Sequence, residues 1–415
     1  MGHALSATGK LPEILDVLEH EDCGQIHQVW QQFTIRDFIK IEDEEKIEAS
    51  LLRIKKDRPN NFSKFVSCIA DVFEDSYNYS TSNPKTIFYF PPSCQFLCLL
   101  LSISGDEPKN SAWFQSPPNI LNAKNPSPIF SIIQTFSKLL NFGRPANEII
   151  QDLYSVNDLI EYTRVLLFIL HSPSFHQKTY CMLDPTPYLL AFDSFPAKVY
   201  LPTLFKLIFL IFTQKNINQK LIFFIRTQLS LALPCLYSCK SWKDVLISLD
   251  PTLIHKALSV ILLISKPTLN CAEQLVALLY VVLTNHKKYI DFLDNHNFTN
   301  NYIIGILLIY QYKTEIKSPI TFLHSIMLLT LCRLTTTIPS LMRLNEPLDF
   351  SPSFNFVLSF NFSSSFNFVS FKKPQEGTVA DMLIDIIYYS VLENFGSIGP
   401  ILPLISGIIS NIQQL

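Results

Sequence analysis

The first ten residues, MGHALSATGK, place a glycine behind the initiator and a serine four positions further on, as Met1-Gly2-x-x-x-Ser6. That spacing is the acceptor pattern for N-myristoylation, in which a fatty acyl group joins the Gly2 nitrogen once Met1 is removed. A single myristoyl chain holds a bilayer only marginally and reversibly, so stable attachment needs a second signal. No basic signal is nearby. Between residues 2 and 24 Lys10 stands alone against Glu13, Asp16, Glu19, Glu21 and Asp22, and anionic lipid repels such a segment. Cys23 is open to two readings, a palmitoyl acceptor or an ordinary free thiol near a helix start.

Other residues of chemical interest are sparser. Cys94/Cys98 and Cys235/Cys239 are each four apart, on one helical face, and no histidine is placed to complete a zinc set. Nine cysteines, an odd number, suit buried thiols in a reducing compartment better than a disulfide framework. His171 and His176 bracket HSPSFH, a turn whose spacing does not align two imidazoles for metal, and the other histidines read as isolated. Carboxylates cluster only at 13–22 and 42–48, where exposure is expected to leave them at ordinary pKa values. Acid–base catalysis needs carboxylates whose environments drive their pKa values apart. GxSxG, HExxH, Walker and dinucleotide-binding glycine patterns are all missing. No catalytic residue, no metal and no cofactor beyond the acyl group on Gly2 is therefore expected, and the chain does not read as an enzyme.

The elements that would carry these residues follow from the totals. Apolar residues make up 48% of the 415 and charged residues 16%, which excludes disorder over most of the chain. Gly is scarce at 10, against phosphate-cradling loops, while 26 Pro punctuate many short helices. A formal charge of −2 supplies no field for nucleic acid. The RIKKDR stretch at 53–58 follows IEDEEKIE and reads as one solvated helix face with i,i+4 pairs. No charged-then-apolar leader opens the chain, so the sequons at Asn61, Asn78, Asn297 and Asn361 are expected to stay unmodified. The apolar runs LIFLIF (207–212) and IIGILLIY (303–310) fall short of the ~18 residues that span a bilayer and read as central helices, giving cytosolic topology.

Helical periodicity predicts elements near 47–58, stopped by Pro59, and near 61–75, 87–104, 128–142, 156–171, 201–213, 217–232, 252–265, 272–284, 300–312, 319–334, 379–394 and 400–413. Helix pairs recur about every 40 residues, as HEAT or armadillo units do. The expected fold is all-α, an α-solenoid of irregular HEAT/armadillo-like repeats. Its organisation would be an acylated segment at 1–24, the solenoid at 25–352, an insert at 353–376 and closing helices at 377–415. Residues 105–127 read as a long Pro/Asn/Ser-rich loop. In the insert, SFNF begins at Ser353, Ser359 and Ser365, which leaves open a poorly ordered excursion, a packed hairpin or a binding motif.

Residues 272–395 carry a family likeness. AEQLVALLYVVLTNHKKYIDFLDNHNFTNNYIIGILLIY (272–310), with its Asn285-x-Lys287-Lys288-Tyr289 link, resembles paired helices of the Hid/dymeclin family. HSIMLLTLC (324–332) is similar to the next family helix, and MRLNEP (342–347) and GTVADMLIDIIY (377–388) resemble two short blocks of the branch of high-temperature-induced dauer-formation proteins. Looser matches are VWQQF (29–33), NSAWFQSPP (110–118) with the helix at 128–143, and 147–170; the MGxxxS start is also a family habit. Family members continue through further helices, so this chain, ending at Leu415, would be a short divergent form or lack its end.

The resemblance implies a non-catalytic peripheral membrane scaffold or adaptor of the Golgi and trans-Golgi network. It would act in secretory-pathway sorting or secretory vesicle formation. Its partners would be the Golgi membrane surface, reached through the acyl chain on Gly2, and proteins the sequence does not name. The alternative is a soluble helical-repeat transport or assembly factor without lipid. Within the matched blocks, Thr378 and Asp381 form a capping box behind Gly377, opening a helix from Met382 to Leu392. Arg343 is placed to pair with Asp381. Arg343, Asn345, Pro347, Gly377, Thr378 and Asp381 then serve either to shape the connector or as a partner surface.

Overall fold

The computed structural model describes residues 11–23, 33–38, 43–103, 112–114, 127–151, 153–171, 187–214, 217–264, 271–296, 298–315, 322–336, 344, 378–381, 383–384, 387–388 and 402–412. Gly2, Arg343, Asn345, Pro347, Gly377, His176 and the SFNF insert lie outside them. Among the described residues the structure is helical, with no strand, and the chain divides into two compact units.

The first unit takes residues up to Phe142 and Leu153–Pro196. It holds α1 (Leu11–His20), a 3-10 turn (Ile35–Phe38), α2 (Glu44–Asp57), α3 (Pro59–Ser80), a second 3-10 turn (Pro84–Tyr89), α4 (Phe90–Ile103) and α5 (Pro128–Leu140). After α6 (Ala146–Gln151), which belongs to the other unit, come α7 (Leu153–His171) and α8 (Pro187–Ala191). Pro59 and Pro128 sit at first helical positions, where the missing N–H has no intrahelical acceptor to lose. Asp43 accepts the Lys46 N–H at 3.1 Å to open α2, and α5 ends where Asn141 turns left-handed at φ 45°. The predicted stripe of Ile47, Leu51 and Ile54 is buried. Pro59 does stop α2, but it opens α3 at once, with Arg58 alone between the two helices.

Packing then runs from α1 on α2 to α2 on α3, α3 on α5, and both α4 and α5 on α7. Phenylalanines join the layers: Phe38 stacks on Phe96 at 4.8 Å, and Phe33 meets Phe65 edge-on at 5.5 Å. α1, which falls within the expected segment at 1–24, is thus a packed member of this unit. Part of the expected loop at 105–127 is also fixed. Trp113 is wholly buried, and its carbonyl accepts the Ile129 N–H at 3.0 Å in the first turn of α5.

The second unit takes Gly143–Asp152 and everything from Ala197 onward. After α6 come α9 (Ala197–Phe212), α10 (Gln219–Ser238), α11 (Lys240–Ser248), α12 (Pro251–Leu258) with its 3-10 extension Ser259–Leu263, α13 (Ala272–Asn285), α14 (Lys287–His296), α15 (Thr299–Glu315), α16 (Phe322–Leu334) and α17 (Leu402–Ile412). The most extensive packing joins helices that are not adjacent in sequence. α10, α13, α16 and α17 pack in one row, while α9, α12 with its extension, and α15 form another. Rows of this kind form because each helix carries apolar residues on more than one face. α10, α13 and α16 begin at residues 219, 272 and 322, steps of 53 and 50 instead of the expected 40 or so.

Two expectations about helix length need correction. α10 was expected to stop at 232, before Pro234, but it runs to Ser238 because Cys235 and Leu236 beyond the proline are buried. Lengths approaching a bilayer span were not expected either. Pro84–Ile103 and Gln219–Ser238, each 20 residues with mean hydropathies of 1.5 and 1.4, are long and apolar enough to cross a membrane by length and composition. Just over half of each apolar window, 56%, is covered by the chain's own helices. On α10 the buried Gln228 accepts from the Tyr200 hydroxyl at 2.9 Å, an inward polar contact between α10 and α9.

Close approach in this unit is concentrated at Gly305 of α15. A β-carbon there would stand 3.0 Å from Ile261 Cγ2 and 3.2 Å from Leu262 Cδ2, and Ile261 is buried with little room to yield. Ala would gain about 1 kcal/mol of helix propensity against about 1–3 kcal/mol of overpacking. Gly305→Ala is therefore expected to lower the melting temperature modestly and Gly305→Val strongly, as measured by calorimetry.

Candidate functional site

In the link at 285–289, His286, the residue between Asn285 and Lys287, makes most of the contacts. His286 ends α13, donating its N–H to the Val282 carbonyl at 2.8 Å, and also begins α14. Its Nδ1 accepts the Tyr289 N–H at 3.0 Å and its Nε2 donates to the Leu249 carbonyl at 3.1 Å. These contacts assign the proton to Nε2 and satisfy helix-end groups on both sides of the ring. The imidazole is completely buried.

Tyr289, one turn on, carries the network outward. Its hydroxyl meets that of Tyr302 at 2.7 Å, and the Tyr302 hydroxyl bonds His255 Nδ1 at 2.8 Å. His255 stacks on Phe298 at 4.1 Å between centroids. One polar chain thus ties α12, α14 and α15 together. Burial first, and then nearby His296, push the His255 imidazole down to about 3. Burial also raises both tyrosines. All three groups are neutral at neutral pH, and the hydrogen bonds join the three helices. The expectation that these histidines stand isolated is corrected. Histidines and tyrosines were visible in neighbouring predicted helices, but only their packing brings them within bonding distance.

In the short blocks, Thr378 and Asp381 hydrogen bond reciprocally. Asp381 Oδ2 accepts the Thr378 N–H at 2.7 Å and its hydroxyl at 2.8 Å, while Thr378 Oγ1 accepts the Asp381 N–H at 3.2 Å. The Thr378 N–H, and then its hydroxyl, hold the exposed Asp381 carboxyl below its usual range. Leu344, the one described residue of the MRLNEP block, is buried and accepts the Ala380 N–H at 2.9 Å. That backbone bond brings the two blocks together. The pairing expected between Arg343 and Asp381 falls outside the described residues, as do Asn345, Pro347 and Gly377.

Near the N-terminus, α1 buries Leu11, Ile14, Leu15 and Leu18. Its acids were expected to be unperturbed, but Glu19 departs from that. Arg53 of α2 pairs with it, Nη2 lying 3.2 Å from Oε2, and this hydrogen bond lowers the carboxyl. The sequon residue Asn61 is buried and clamps the end of α1. Its amide donates to the Leu18 and Glu21 carbonyls at 2.9 and 2.8 Å, and its oxygen accepts the Cys23 N–H at 3.1 Å. Cys23 is buried and its thiol raised by burial, which makes it a poor palmitoyl acceptor in this fold. Cys68, Cys98 and Cys271 are pushed up to about 12 by burial, and Cys94 well above its ordinary value. Among the described residues no group of three His, Cys, Asp or Glu could hold a metal.

Two outcomes follow. Asn61→Leu removes three hydrogen bonds at about 1 kcal/mol each and should cost about 3 kcal/mol in denaturant unfolding of the first unit. The unfolded chain can protonate His255 below pH ~6.5 while the fold resists until about 3, so stability should fall as pH drops from 7 to 5, by about 2 kcal/mol. His255→Phe should flatten that pH dependence. Compared with protein-family models, with curated proteins and with solved structures, the chain finds no match.

Proposed function

We propose that this chain is a non-catalytic scaffold or adaptor working peripherally on the cytosolic face of Golgi and trans-Golgi membranes. It would serve secretory-pathway sorting or secretory vesicle formation, tethered by a myristoyl group on Gly2. The observation that carries the reading is the pair of helix rows in the second unit. Such rows build the irregular HEAT- or armadillo-like solenoids that present extended surfaces to partners. The likeness of residues 272–395 to the Hid branch supplies the membrane and the pathway. The link at 285–289 within it is spent on joining helices, which suits a scaffold better than an enzyme.

A second reading, a soluble helical-repeat transport or assembly factor without lipid, is favoured by one feature. Glu13, Asp16, Glu21 and Asp22 crowd the segment that follows the acyl site, where they repel anionic lipid. Intact-mass measurement of protein made in eukaryotic cells separates the two readings by the myristoyl increment. On the first, Gly2→Ala should move most of the protein from the membrane fraction to the soluble one; unchanged fractionation would remove the acyl group as anchor.

A further inference from the structure

In the first unit a cavity of about 420 Å3 opens among the Ile35–Phe38 turn, the C-terminal half of α3 and the Pro84–Tyr89 turn. Its volume suits a small ligand or a headgroup. Phe33, Tyr79 and Tyr89 give it aromatic walls, and Arg36, Asp75 and Ser76 give it polar ones. The Arg36 guanidinium lies over the Tyr89 ring, 4.7 Å from its centroid, a stack that orients it while leaving its N–H edges available. Among the described residues neither Arg36 nor Asp75 forms an ion pair. A cation and an anion therefore line the same cavity.

The rim is unusual for exposed surface. Thr86 and Tyr89 are three apart on a 3-10 turn and share its inner face. Between them Ile87 and Phe88 stand out, Phe88 with 70% of its surface exposed and Tyr79 across the cavity with 59%. Lys85 is exposed beside them. Exposed aromatic and aliphatic side chains around a polar socket match a surface that enters the boundary between headgroups and acyl chains. The charge balance selects the headgroup. Asp75 lines the cavity together with Arg36, and Asp37 follows Arg36 in the chain, so a net-anionic headgroup is disfavoured there. A zwitterion satisfies both walls, and tyrosine rings beside a carboxylate suit a quaternary ammonium.

We propose that this cavity and its rim dock a phosphocholine-bearing membrane surface. The lipid phosphate pairs with Arg36, the choline group lies between Tyr79 and Asp75, and Ile87 and Phe88 insert beside it. The proposal rests on the reading that the chain works at a membrane, and it provides the second contact that a lone acyl chain needs.

The test uses full-length chain made without acylation, sedimented with vesicles of phosphatidylcholine alone and of phosphatidylcholine mixed with phosphatidylserine. Binding to the first and weaker binding to the second are expected, with Phe88→Ala and Arg36→Gln each lowering partition about tenfold. Both residues are exposed, so circular dichroism should show both variants folded. Free phosphocholine should compete in the parent and in Phe88→Ala but not in Arg36→Gln. Absence of vesicle binding overturns the proposal, as does binding that both variants retain or that requires phosphatidylserine. Loss of a co-purifying protein in Phe88→Ala without any vesicle binding would make the rim a protein interface and overturn it equally. None of these failures touches the acylated, Golgi-directed reading, which stands or falls on Gly2→Ala.

Discussion

Mutual coverage of apolar helix faces is the constraint on which everything else in this chain depends. With nearly half of its residues apolar and few charged, an average helix has more greasy surface than one partner can hide. α13 is an example: Leu275, Val276, Leu278, Leu279, Val282 and Leu283 are all buried, and it packs on α10, α16 and α14 together. At about 1.5–3 kcal/mol for each large side chain removed from water, no competing arrangement that leaves such a helix half-covered would persist. Stacking in rows is the simple geometric answer, because every interior helix then has neighbours before and behind.

Rows create a second demand, since each helix end brings unpaired N–H and C=O groups close to an apolar interior. Polar side chains and backbone carbonyls are spent there. His286 serves the end of one helix and the start of the next; Asn61 closes α1; Trp113 offers its carbonyl to α5; Asn218 and Asp250 cap α10 and α12. Even the His255–Tyr302–Tyr289 chain, which in a wet cleft would suggest proton transfer, is a neutral brace between three helices. The burial that drives His255 far from its ordinary range also strengthens the hydrogen bond it shares with Tyr302.

The surface of the first unit is uneven. Acids dominate the outside of α1, while exposed Ile87 and Phe88 stand on the turn at Pro84–Tyr89 and exposed Tyr79 on α3. A protein held by a weak acyl tether gains most from a second weak contact, because the tether raises the local concentration of that contact. Zwitterionic lipid and acidic protein surface are compatible where anionic lipid and acidic surface are not.

The sequence by itself determined the helical class, most helix positions, the buried stripe of Ile47, Leu51 and Ile54, and the Thr378–Asp381 cap, because periodicity and capping are local. Local signals also misled in particular places. Pro234 looked like an end and is not, since packing beyond it outweighs one lost hydrogen bond. Pro59 looked like a terminus and is a junction. Histidines read as isolated became buried joints, as did Asn61, noted only as an unmodified sequon. Only tertiary structure decided which helices share a row, which polar residues meet across tens of positions, and that Arg36, Asp75 and Tyr79 open onto one cavity. Those outcomes depend on contacts between distant segments, and no spacing along the chain encodes a distance between residues that folding alone brings together.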